Sequence, residues 1–148
     1  MPFLMETDFL LALISKGDKH HDEVVELLDR FVGEFFLSPY SLIELDLLLK
    51  SGEIAVTGFK DFYILIGRVL KFRRIGSLPI KPSYQGEAWS LRDQYKWLTY
   101  FDSLHAAVAV TENLELISYA KKYRKVKELT YNHPSKYLRE KSNRPSGL

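Results

Sequence analysis

Short apolar runs alternate with longer segments of helical periodicity along the whole chain, and this alternation limits the fold more than any other feature. The runs are Phe3-Leu4-Met5, Phe35-Phe36-Leu37, and residues 75–80, 114–118 and 126–131. Each is long enough for a buried strand and too short for a helix. Pro79 makes the third run an edge strand or a strand end, because proline cannot donate to a ladder. Between the runs, apolar residues recur every three or four positions. Val24, Leu27, Leu28 and Phe31 mark one helix, and Phe59, Phe62, Tyr63, Ile66, Val69 and Leu70 another. Helices are expected over 9–14, 19–31, 39–50, 58–73, 83–96, 102–112 and 120–125. Ser38 is read as a cap with Pro39 at the first helical position.

Strands separated by helices cannot pair as hairpins. They form a mostly parallel sheet covered on both faces, an α/β three-layer sandwich. Such sheets place function beyond the carboxyl ends of their strands. The residues to inspect are therefore Glu6, Thr7 and Asp8 after the first strand, and Ser118, Tyr119 and Ala120 after the fourth. Residues 1–138 read as one domain, and 139–148, polar with Pro145 and Gly147, as a mobile tail.

The chain has no cysteine, which removes disulfides, thiolate nucleophiles and cysteine-ligated metals. No apolar run reaches 18 residues, so no membrane span is expected. The start lacks a basic leader, and a cytoplasmic location is expected. Charge is polarised. Residues 1–50 carry 4 basic and 10 acidic side chains, a net of −6, and residues 121–148 carry 9 basic and 2 acidic, a net of +7. The basic end suits a nucleic acid or another acidic partner, or simply a solvated surface.

Three acidic positions stand out: the Glu6 and Asp8 pair, Glu44, and Asp102. Glu6 directly follows an apolar strand and is hard to explain as a cap, whereas Asp8 reads either as a cap or as a site residue. Glu44 lies within Leu42-Ile43-Glu44-Leu45 and has only Tyr40 and Leu48 four positions away, while Asp46 can pair with Lys50. A carboxylate in apolar surroundings needs a partner or a metal. Asp102 opens a helix rich in alanine, again as a cap or a ligand. His105 reads as hydrogen-bonded scaffold, His20 and His21 as surface, and His133 as lacking an evident partner. Acids from separate segments, with no cysteine or histidine set, favour a hard cation such as Mg²⁺ or Mn²⁺. Bringing two carboxylates within 4 Å costs about 4 kcal/mol at an effective dielectric of 20, and a divalent ion relieves that. Such centres hydrolyse phosphodiesters.

In order and spacing these motifs resemble the PIN-domain family, best known from VapC-type toxins. Phe3-Leu4-Met5-Glu6-Thr7-Asp8-Phe9 is similar to the family's strand followed by Asp-Thr-Asn. Ser41-Leu42-Ile43-Glu44-Leu45 matches its helical glutamate, and Asp102-Ser103-Leu104-His105-Ala106-Ala107 its Asp-Ala-Leu-x-Ala-Ala helix start. Leu78-Pro79-Ile80 and 132–137 are also similar. The resemblance implies a parallel sheet with an acidic pocket for Mg²⁺ or Mn²⁺, endoribonuclease activity, often a homodimer, and in the toxins an antitoxin partner.

On that basis Glu6, Glu44 and Asp102 are the expected catalytic ligands. Asp8 is an auxiliary metal ligand, and Ser118 orients a water or a phosphate. Lys121, Lys122, Arg124 and Lys125 are expected to hold the RNA backbone. Two departures matter. Glu6 replaces the family's aspartate, and Ala120 stands where the fourth strand usually ends in an acid. Alongside a working nuclease stand two alternatives: a catalytically weakened PIN module that binds RNA or a protein, and a small α/β binding domain.

Overall fold

A computed structural model describes residues 1–142. Its elements are, in order, β1 (Phe3–Met5), α1 (Thr7–Ile14), α2 (His21–Arg30), β2 (Phe35–Leu37), α3 (Ser41–Ser51), α4 (Phe59–Phe72), β3 (Gly76–Ser77), α5 (Pro82–Gln94), α6 (Tyr100–Glu112), β4 (Glu115–Ile117), a 3₁₀ turn (Lys121–Lys125), β5 (Tyr131–Asn132) and α7 (Ser135–Ser142). The strands form one sheet in the order β3-β2-β1-β4-β5. Every pairing in it is parallel. This is the expected α/β architecture, with the sheet wholly rather than mostly parallel.

The alternation of side chains along each strand divides the core in two. Phe3, Met5, Phe35, Leu37 and Ile117 join the cluster that α1, α2, α3 and Ile66 of α4 build on one face. Leu4 and Leu116 join the other, with Tyr84, Ala88 and Leu91 of α5 and the alanine-rich α6. The central strands are therefore apolar at consecutive positions, as a sheet covered on both faces requires. Ala106, Ala107 and Ala109 are fully buried, and their small side chains let α6 lie close to the sheet. Gly76 is needed for a similar reason. A Cβ there would lie 2.6 Å from the Phe36 ring, so only glycine lets the edge strand approach β2.

Several boundaries differ from the periodicity. α3 starts at Ser41 rather than at Pro39, and Ser38 Oγ serves His105 as well as the Tyr40 N–H. β3 keeps only Gly76 and Ser77, because Pro79 ends the ladder. The 126–131 run is mostly a turn closed by Leu129 N–H on the Val126 carbonyl. Val126 and Leu129 anchor it in the core, and pairing begins only at Tyr131. α7 continues to Ser142, four residues into the expected tail. Tyr137 and Leu138 in its first turns pack against the first cluster. Residues 143–148 lie outside the described part. Among the described residues, no helix is long and apolar enough to cross a membrane.

Candidate active site

The carboxyl ends of β1 and β4 are adjacent in the sheet, and the chain leaves both on the same edge. Glu6 follows β1 and is buried at 6% exposure. It occupies the N-cap position of α1 but makes no side-chain cap bond, so its carboxyl is free for other partners. Asp8, in the first turn of α1, does not cap it either. It accepts from the Tyr119 N–H at 3.0 Å and from Ser118 Oγ at 3.1 Å. Ser118 Oγ also lies 3.3 Å from Glu6 Oε1 and accepts from the Ala120 N–H. Ser118 is fully buried and ties the two acids together, rather than facing a water or phosphate.

Glu44 arrives from the first turn of α3. Its Oε1 accepts from Thr7 Oγ1 and from His105 Nε2 at 2.9 Å. The other ring nitrogen of His105, Nδ1, is 2.6 Å from Ser38 Oγ. With Nε2 protonated toward the carboxylate, Nδ1 accepts from the serine hydroxyl, and every polar atom of this buried ring is satisfied. His105 is thus the scaffold it was read to be, and the partner that Glu44 lacks within its own helix. Asp46 accepts from Tyr63 at 2.9 Å instead of pairing with Lys50.

Asp102 lies in the first turn of α6. Thr99 is the cap, its hydroxyl accepting from the Asp102 N–H, which leaves the Asp102 carboxylate for the pocket. Tyr123 in the 3₁₀ turn sits 3.2 Å from Asp102 Oδ1 and 2.8 Å from Glu6 Oε2. Lys122 Nζ lies 2.5 Å from Asp102 Oδ2.

These surroundings split the acids electrostatically. Burial drives the Glu6 carboxyl upward, and the charges of Glu44 and Asp102 add to the effect. Asp8 is pushed up to about 8, first by burial and then by Glu6. Burial opposes ionisation of Glu44 as well, but the His105 and Thr7 hydrogen bonds outweigh it and hold the group below the ordinary range. Asp102 is likewise held low against burial, by Lys122, Thr99 and Tyr123. Burial among these charges raises the Tyr123 phenol well above its usual value, so it stays a hydrogen-bond donor.

Residues 3–129 match the PIN domain family model. The chain belongs to the PIN domain family. A search of curated proteins found no match. Solved structures show the same fold. The PIN domain is similar to a chain of VapBC2 from Rickettsia felis, solved bound to a DNA fragment from its promoter, with 17% identity, TM-score 0.72 and coverage of 90% of this chain and 98% of that one. A chain of the DNA-bound VapBC from Salmonella typhimurium gives 12% identity, TM-score 0.70 and coverage of 90% and 98%. A toxin–antitoxin complex from Klebsiella pneumoniae gives 20%, 0.63, and 89% and 97%.

In this PIN domain the four expected acids come from the β1–α1 junction, α1, α3 and α6 to one edge of the sheet. Their donors are all oxygens, the chemistry a hard divalent cation prefers. Asp8 Oδ1 and Asp102 Oδ2 are both buried; the first belongs to a carboxyl coupled to Glu6 beside it, and the second lies against the Lys122 ammonium. As they stand, no three acidic or histidine side chains among the described residues are set to share one ion. Tyr123, Ser118 and Lys122 hold oxygens that an ion would need. Of the basic residues expected to grip RNA, Lys121, Arg124 and Lys125 are exposed, whereas Lys122 is spent on Asp102. Tyr123 is a site residue that the sequence did not reveal, whereas Thr7 and Tyr119 are among the strand-end residues it marked. Tyr119 also stacks on His20 at 3.7 Å and donates to Glu23, and His133 meets the Tyr119 ring edge-on and bonds Ser135. His20 and His133 are therefore part of the wall behind Asp8, not isolated surface groups.

Proposed function

We infer that this PIN domain is a divalent-metal-dependent endoribonuclease of the toxin type. The observation that carries the reading is the convergence of Glu6, Glu44 and Asp102, from three separate elements, with Asp8 beside them at the carboxyl edge. Holding so many carboxylates together is costly unless the pocket serves a cation. Glu6, Glu44 and Asp102 would hold Mg²⁺ or Mn²⁺, and Asp8 would assist. The ion would supply an activated water and neutralise charge on the phosphate. His105 and Thr7 fix the direction and ionisation of Glu44. Ser118 couples Glu6 to Asp8, and the exposed Lys121, Arg124 and Lys125 hold phosphates along the adjoining turn.

The structural neighbours come from toxin–antitoxin complexes, and an antitoxin partner is proposed here too, together with a homodimer. Two cavities beside α1 and α4 share Ile14, Val56 and Phe62, one reaching Leu65 and Asp61 and the other Asp18. They suit an amphipathic segment with basic flanks.

Cleavage of a mixed single-stranded RNA panel in Mn²⁺ or Mg²⁺ tests the activity, with EDTA and Asp102→Asn as controls. Cleavage lost in both controls supports the reading. A second reading, a weakened module that binds RNA or a protein, is favoured by Ala120 and by the protein donors already bonded to Glu6 and Asp102. Absence of cleavage in either metal would select it.

A further inference from the structure

We propose that Lys122 is the acid pocket's own counter-ion, which a divalent cation must displace from Asp102 in order to bind. This rests on the reading of the pocket as a metal site.

The Lys122 ammonium is 2.5 Å from Asp102 Oδ2, with the lysine side chain 43% exposed and the aspartate 14%. The pair therefore straddles the pocket mouth. The carboxylate is inside, and the ammonium can swing out into water on its flexible stem. The other oxygen, Asp102 Oδ1, faces Tyr123 from the same turn. One five-residue segment thus occupies both oxygens of the third acid.

The same segment begins after Ala120, the position at which the resemblance calls for a fourth acid. Within two residues the chain has omitted a negative charge and added a positive one. The ammonium offsets part of the repulsion among the acids until an ion arrives. An arriving cation competes for the same oxygen, since two positive groups cannot share it without strong repulsion. Metal binding then releases a lysine onto a turn where Lys121, Arg124 and Lys125 are already exposed. Lys122 would thereby make metal loading and cation availability one event.

The test is calorimetric titration of Mn²⁺ into the full chain, without RNA, for wild type, Lys122→Met, Lys122→Arg and Lys127→Met. Methionine keeps the stem and removes the competitor, arginine keeps the charge, and Lys127 is an exposed lysine outside the pocket. Removing a partly exposed ion pair corresponds to about a fivefold tighter dissociation constant. That gain is expected for Lys122→Met alone, with Lys122→Arg and Lys127→Met within about twofold of wild type. Binding by Lys122→Met but not by wild type also supports the proposal. Equal or weaker binding by Lys122→Met overturns it while the metal reading stands. Binding by neither protein overturns both. Melting curves of each variant confirm that folded protein is being titrated.

Discussion

Tyr123 stands between Glu6 and Asp102, 2.8 Å from one carboxyl and 3.2 Å from the other. A phenol has one proton to donate, and it faces two acids. The phenol stays protonated and donates toward both carboxyls, so its one hydrogen is shared between them. Burial drives Glu6 up, and Asp102 is held low.

Tyr123→Phe removes that shared donor and leaves two buried oxygens short of a partner. The expected cost is about 1–3 kcal/mol in urea denaturation. Mn²⁺ should recover part of it, because the freed oxygens then serve the ion. A variant as stable as wild type would show that this bridge carries no energy.

The metal-free protein should lose stability as pH rises from about 4 to about 8. Asp8 titrates near 8 when folded, against about 3.9 in an unfolded chain. The folded state therefore keeps a proton that the unfolded state releases. The resulting stability is complete below the unfolded value and lost as pH rises through the folded one. Glu44 and Asp102 shift the other way and act only as pH falls below about 4. Melting temperature measured across this range should decline in wild type and much less in Asp8→Asn. A flat wild-type profile would contradict the assignment.

His105→Ala should be destabilising by about 2–4 kcal/mol. It deletes a fully buried ring and leaves Glu44 and Ser38 without a partner. His105→Gln restores one donor and should recover part of the loss. If both variants lose equally, packing rather than hydrogen bonding explains the residue.

Gly76→Ala tests the edge of the sheet. Its Cβ would meet the Phe36 ring at 2.6 Å, and overpacking of this kind costs about 1–3 kcal/mol. Pairing it with Phe36→Leu should restore much of that. Additive losses in the double variant would mean that the clash is relieved elsewhere.

Much of this structure was legible because its signals are local. Phe3–Met5, Phe35–Leu37 and Leu116–Ile117 are apolar at consecutive positions only because both faces of the sheet are covered. The acids Glu6, Glu44 and Asp102 were legible from their local setting, at a strand end, in an apolar helix and at a helix start, and motif order then grouped them. The 126–131 run misled because burial of Val126 and Leu129 looks the same whether they lie in a strand or anchor a turn. Tyr123 was invisible for a different reason. It meets Glu6 across 117 positions of chain, and nothing around Tyr123 in sequence signals that approach. Lys122 read as one of four cations for the RNA backbone, and only the fold shows that it faces Asp102.

The central claim is that these acids form a divalent-cation site. The most direct measurement is Mn²⁺ titration by calorimetry into wild type, Glu6→Gln and Asp102→Asn, read together with melting temperature. The account predicts saturable binding by wild type that stabilises the fold by about 2.7 kcal/mol at 100 times the dissociation constant. Each variant should bind at least about tenfold more weakly, as expected when a carboxylate ligand loses its charge. Wild-type affinity retained in both variants would contradict it, and would place any bound ion away from the carboxyl edge of β1.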